Sequence, residues 1–191
     1  MLIRREWRRC NVNSTLIIVI AVVVLLLIGF LVAVGASRRQ KTKRLKGEFG
    51  TEYAATMTAS GSKKKGQKEL GERQKHVKTL NIRPLTVSER DRYQTDWTAV
   101  QTRFVDEPGQ AIESADHLIM EVMQLRGYPV SDFDQRAADI SVKYPKFVSN
   151  YRAARAIAVK NEHHEADTEE LRQAMIHYRS LFKELLVTET A

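Results

Sequence analysis

Histidines and carboxylates are the residues of this 191-residue chain best equipped for chemistry. His163 and His164 stand together in "NEHHEAD", beside Glu162, Glu165 and Asp167. Those residue types ligate zinc and other transition metals. Their spacing does not suit that use. Adjacent histidines in a polar loop do not converge on one face, and neither HExxH nor a Cys/His ligand spacing occurs. A solvated loop is expected there. His117 and His177 fall on helices beside apolar stripes, where half-buried, hydrogen-bonded histidines are expected. The glycines at 47, 50, 61, 66 and 71 fit no strand–turn–helix context, so no phosphate loop is predicted. There is no GxSxG elbow. The one cysteine, Cys10, cannot form an internal disulfide, and it precedes the apolar run where a lipoprotein would need it just after. The expectation is a protein that is not an enzyme and has no cofactor, no metal and no evident small-molecule substrate.

One constellation is suited to recognition. "RGYPVSDFDQRAAD" (126–139) gathers Arg126, Tyr128, Asp132, Phe133 and Arg136 at a helix–turn–helix junction. Aromatic and arginine side chains are common anchors at interfaces, so these five form a candidate interaction corner. The structural alternative is that Arg126 and Arg136 pair with Asp132, Asp134 or helix-end carbonyls and rigidify the turn.

The elements that position these residues begin with an apolar run. Residues 16–36, LIIVIAVVVLLLIGFLVAVGA, hold 16 Leu, Ile, Val or Phe in 21 positions. As a helix the run is about 31 Å long, close to the hydrocarbon thickness of a bilayer. A signal-peptide core runs only about 7–15 residues. An uncut transmembrane helix is therefore predicted. An exported or cleaved protein, cut near Val34-Gly35-Ala36, is the alternative.

Charge sets the orientation. Arg38, Arg39, Lys41, Lys43, Arg44 and Lys46 come after the run with no acid among them; four arginines and Glu6 precede it. Basic residues next to a span stay cytoplasmic, so six against four place the C-terminal domain in the cytoplasm. The same six also lie where anionic headgroups attract them. The net charge of +8 comes from this end of the chain. Residues 84–191 carry eighteen acidic and thirteen basic residues. The high pI of 9.7 thus argues for a membrane flank and against a nucleic-acid-binding domain. An anionic-lipid or nucleic-acid tether through Lys63–Lys65 and the basic root is a further alternative.

Residues 37–80 read as a basic helical stalk. Leu45, Phe49, Tyr53 and Met57 recur every fourth position, and "SGSKKKG" breaks the pattern. The domain, 81–191, is predicted to start at "NIRPL". Thr86 and Glu89 have the form of a capping box. Tyr93, Trp97, Val100 and Phe104 mark one helical stripe. Pro108 suits a first helical turn, and the next helix ends at Gly127. Ser131 or Asp132 caps a short helix that stops at Pro145. Tyr151, Ala154 and Ala158 mark another helix. Asp167 or Thr168 caps the last, with Leu171, Tyr178, Phe182 and Leu185 on its inner face. No segment alternates with period two. The predicted fold is all-α: one N-terminal transmembrane helix (16–36) after a basic segment (1–15), a helical stalk, and a compact C-terminal bundle of four to five helices.

"RLKGEFGTEY", "NIRPLTVSERDRYQTDWTAVQTRFVDEP", "RGYPVSDFDQRAADISVKYP" and "EELRQAMIHYRSLFKELL" together resemble a family of bacterial, often actinobacterial, single-pass membrane proteins of unassigned activity. The likeness spans roughly residues 43–188. At "SVKYP" and at Arg155 the chain departs from that pattern, where relatives often carry histidines. The resemblance implies a bacterial source and an envelope location; the apolar run and its basic flank add the expectation of the inner membrane. It is compatible with a scaffolding or protein-interaction role, whose partner is then the bilayer plus another protein.

Overall fold

A computed structural model of the chain describes residues 6–130 and 132–187, with side chains from residue 16 onward except at position 38. Arg4, Arg5 and Ser131, and the side chains of Cys10 and Arg38, lie outside the described part. Eight helices succeed one another, and the described residues contain no strand. The predicted all-α class is the observed one.

The chain divides into two compact units, Met1–Arg44 and Leu45–Ala191. The first unit is built on α1 (Glu6–Phe49). The stretch Leu16–Phe49 includes a window of mean hydropathy 3.6 with none of it buried. It is the one helix among the described residues long and apolar enough to cross a membrane. Its leucines, isoleucines and valines point outward; Leu26, Leu31 and Phe30 are about two-thirds exposed. Arg39, Lys41, Lys43 and Arg44 come next on the same helix, all exposed.

The second unit contains α2 (Thr51–Ala59), α3 (Lys63–Thr79), α4 (Val87–Arg103), α5 (Pro108–Leu125), α6 (Phe133–Lys143), α7 (Val148–Glu162) and α8 (Thr168–Leu186). Local signals set most of the boundaries. Thr86 Oγ1 accepts from the Glu89 amide at 3.2 Å, and Glu89 Oε2 accepts from the Thr86 amide at 2.8 Å. This reciprocal box satisfies two otherwise orphan donors at the start of α4. Asp167 and Glu170 repeat it for α8. Pro108 occupies the first turn of α5, where its missing N–H costs nothing. Asp132 accepts from the Gln135 amide at 2.8 Å and caps α6. Gly127 turns the chain after α5 at φ 92°, where a Cβ would strike the Asn81 carbonyl.

Helices α4, α5, α7 and α8 enclose the main core. Trp97 of α4 stacks on Phe182 of α8 with ring centroids 4.4 Å apart. Tyr151 and Tyr178 meet edge-on at 6.3 Å. Burial raises the Tyr151 hydroxyl to about 12, helped by the charge of Asp116. Tyr178 donates to Asp116 Oδ1 at 2.9 Å, which satisfies a carboxylate that is 5% exposed.

The stalk predicted over 37–80 is not a separate element. Compaction begins at Leu45 rather than at 81. The every-fourth seam is real, but it folds back: Leu45, Phe49, Tyr53 and Leu70 form a second apolar cluster, joined by Met57 and Val142. Gly50, at φ 49°, breaks the helix between α1 and α2. The turn at 60–62 reverses the chain, and Ser62 caps α3. Gly66 gives α2 and α3 their close approach, since a Cβ there would press into Met57.

Candidate functional site

The predicted corner at 126–136 is built for support. Arg126 is 1% exposed. Its Nη1 donates to the Leu185 carbonyl at 2.7 Å and to the Tyr144 hydroxyl at 2.8 Å. Its Nε donates to the Arg83 carbonyl at 3.3 Å. Arg136 donates to the Val130 carbonyl and, at 3.2 Å, to the Tyr151 hydroxyl. Tyr128 is buried, Phe133 half-buried against Tyr151, and only Asp132 is exposed. Three of the five expected anchors are thus inside, where no partner touches them. The two arginines bond to carbonyls and tyrosines, not to Asp132 or Asp134. They supply donors to carbonyls at the end of α8 and in the loops at Arg83 and Val130.

The expected half-burial of His117 is also corrected. It is exposed and faces Glu121, with Nδ1–Oε1 at 3.0 Å. His163 and His164 come directly after α7, and His164 adopts a left-handed φ of 60°. Arg39, Lys41, Lys43, Arg44 and Lys46 are all exposed.

The polar arrangement with the most unusual chemistry lies between α3 and α6, where of the lining residues the sequence marks only Asp132. Positions 69, 72, 73 and 76 share one face of α3 by helical spacing. Opposite them stand Asp132, Asp134, Gln135 and Ala138, at the start of α6. Together these eight residues line a cavity of about 420 Å³. Four of them are carboxylates: Glu69, Glu72, Asp132 and Asp134.

The cation on the α3 wall is already committed. Arg73 donates to Glu52 Oε1 at 2.8 Å, to Glu69 Oε1 at 2.5 Å and to Ser141 Oγ at 3.2 Å. Glu52 in turn receives both Nη groups of Arg152, at 2.8 and 2.9 Å. Burial opposes ionisation of Glu52, which is 3% exposed, but the hydrogen bonds from Arg152 and Arg73 outweigh it. Its carboxyl is held below the usual range and stays charged.

Asp139 has the opposite environment. It is fully buried. Its Oδ1 accepts from Gln135 Nε2 at 2.8 Å. Its Oδ2 has no hydrogen-bond partner. The nearest cationic group is the half-exposed His76, whose Nε2 is 3.6 Å away, beyond hydrogen-bond reach. Burial pushes the Asp139 carboxyl up, while Gln135, His76 and Arg73 act in the other direction. Glu52 and Asp139 are thus two buried acids in opposite conditions: one saturated with donors, one short of a donor.

Sequence patterns carry a faint trace of this. Glu52 sits inside the Leu45–Met57 seam, and Asp139 adjoins the Ala137/Ile140 stripe. An acid on an apolar stripe is the available signal, but its partners are distant in sequence. Among the described residues, no three His, Cys, Asp or Glu side chains converge as metal ligands. Comparison with protein-family models, with curated proteins and with solved structures finds no match for the chain.

Proposed function

We propose that the chain is a single-pass protein of the bacterial inner membrane whose C-terminal helical unit lies in the cytoplasm and binds or scaffolds another protein. The observation that carries the anchor is the outward-facing apolar stretch of Leu16–Phe49, with exposed basic side chains immediately after its apolar part. An apolar surface of that size in water is strongly unfavourable, and a bilayer removes the cost. The basic residues favour the cytoplasmic side for the C-terminal unit. The interaction role is supported by a folded unit whose α3–α6 face holds several carboxylates around a cavity rather than a closed apolar surface.

Paired reporter fusions at the C-terminus test the topology. A fluorescent protein that folds only in the cytoplasm should be active there, and alkaline phosphatase inactive. Active phosphatase would overturn the cytoplasmic assignment. Carbonate extraction should leave the chain in the membrane fraction; release into the supernatant would overturn the anchor.

A second reading has its own support. The five described basic side chains from Arg39 to Lys46 are exposed. Each would gain about 1 kcal/mol near an anionic leaflet. Anionic-lipid contact then accompanies the anchor and strengthens its orientation.

A further inference from the structure

The basic residues after the apolar stretch are not spread evenly around α1. At about 3.6 residues per turn, Val32, Gly35, Ala36, Arg39 and Lys43 fall on one face, and Lys41 and Arg44 point away from it. Val32, Gly35, Ala36, Arg39, Gln40 and Lys43 line an open hollow of about 500 Å³ along that face. Its apolar end is shaped by small residues: a Cβ at Gly35 would meet nothing within 4 Å, and Ala36 adds only a methyl group. Val32, 65% exposed, stands beside them. The other end is cationic. Arg39 and Lys43 are both exposed and four positions apart. That spacing sets their Cβ atoms about 5–6 Å from each other. Among the described residues, no ion pair joins either of them to a carboxylate. Like charges so placed repel along a helix, and an anion held between them removes the repulsion. Arg39 follows the last residue of the apolar run by three steps, about 4.5 Å along the axis, which is the depth of headgroups rather than of acyl chains.

We propose that this face of α1 holds one anionic phospholipid, its phosphodiester bridged by Arg39 and Lys43 and an acyl chain laid over Gly35 and Ala36. The inference rests on the membrane-anchor reading and narrows the lipid contact from a diffuse attraction to a single site. A surface that is apolar toward the span and cationic just beyond it complements a chain that ends in a charged phosphate. Arg39 offers a planar fork to two phosphate oxygens. Lys43 brings a point charge back toward the same phosphate on its flexible stem. Gln40 adds an amide donor beside them. The acyl chain fills the hollow at Gly35 and gains the dispersion contacts that a larger side chain would otherwise make. A zwitterionic headgroup carries its own cation next to the phosphate and gains less from the pair.

The test uses the full chain in a neutral detergent, where orientation in a bilayer no longer enters. Phosphatidylglycerol and phosphatidylcholine are added in equal amounts, and bound lipid is counted by native mass spectrometry. One phosphatidylglycerol per chain should be retained, in about tenfold preference. Arg39→Gln/Lys43→Gln should reduce its retention about tenfold. Lys41→Gln/Arg44→Gln removes the same charge from the other side of the helix and should reduce it by less than about twofold. Gly35→Leu changes no charge, suits a helix better than glycine and fills the hollow; it should reduce retention about fivefold. Three results would overturn the proposal: no preference for phosphatidylglycerol, equal losses in the two double variants, or unchanged retention by Gly35→Leu. Equal displacement by soluble glycerophosphoglycerol would overturn the assignment to a lipid and leave a site for free phosphodiesters. Carbonate extraction separates this outcome from failure of the anchor. A chain that stays in the membrane while the two double variants lose lipid equally gives up only the site; release into the supernatant removes anchor and site together.

Discussion

Glu52 and Arg152 lie 100 positions apart and are joined by two hydrogen bonds of 2.8 and 2.9 Å. This pair ties α2 to α7, and Arg73 adds α3 to the same carboxylate. A segment rich in charge, with the composition of a stalk, is thereby part of the folded unit.

Glu52→Gln should destabilise the unit by about 2–3 kcal/mol. A buried pair broken on one side costs more than that, but the Arg152 side chain is 38% exposed and water screens part of the loss. Because the Glu52 carboxyl is held low, its contribution is present above the unfolded carboxyl value of about 4.3 and is lost as pH falls through the folded one. Thermal melts by circular dichroism should show the native chain weakening in acid, with a smaller acid response in Glu52→Gln.

Asp139→Asn should raise the melting temperature near neutral pH, by the equivalent of about 1 kcal/mol. The sign comes from its raised carboxyl. Such a group favours the folded state below the unfolded value of about 3.9 and loses that contribution as pH rises through the folded value. The gain from Asn should therefore vanish below about pH 4. Melts of both proteins across that range check it; a gain that persisted in strong acid would contradict the assignment.

Arg126→Met should cost about 2–4 kcal/mol, because the Leu185 carbonyl and the Tyr144 hydroxyl lose a buried charged donor. Arg126→Lys should recover only a fraction, since one ammonium cannot reach Leu185, Tyr144 and Arg83 with the same fork. Urea unfolding of the three proteins gives the comparison.

Under the proposed topology, replacing Arg38, Arg39, Lys41, Lys43, Arg44 and Lys46 with glutamine leaves the basic residues on the N-terminal side of the apolar stretch dominant. Orientation should then invert in a large share of molecules. C-terminal phosphatase activity should rise accordingly.

What was legible in the sequence was local. The boxes at Thr86–Glu89 and Asp167–Glu170, Pro108 in a first turn and the stripe from Tyr93 to Val100 each depend on residues within a few positions. They place α4, α5 and α8 correctly, and the cap at Asp132 and the stripe from Tyr151 to Ala158 do the same for α6 and α7. The boundary at 81 failed because it rested on composition: lysines and glutamates read as solvated, while Glu52 and Arg73 find partners far along the chain or on another helix. The corner at Arg126 failed for the related reason that arginine and tyrosine look like surface anchors until their carbonyl partners are known. Asp139 carries no motif, because a missing hydrogen-bond donor is a property of packing in space.

The second apolar cluster, Leu45, Phe49, Tyr53 and Leu70, is small and distinct from the main core. Two cores of unequal size imply two tiers of amide protection. The backbone of α2 and α3 should exchange its hydrogens through openings that leave α5 and α8 closed. Glu52→Gln should hasten that exchange, because the two hydrogen bonds from Arg152 hold the smaller tier to the larger. The part of the unit that follows α1 in sequence is then the part that can come loose while the bundle beyond it stays folded.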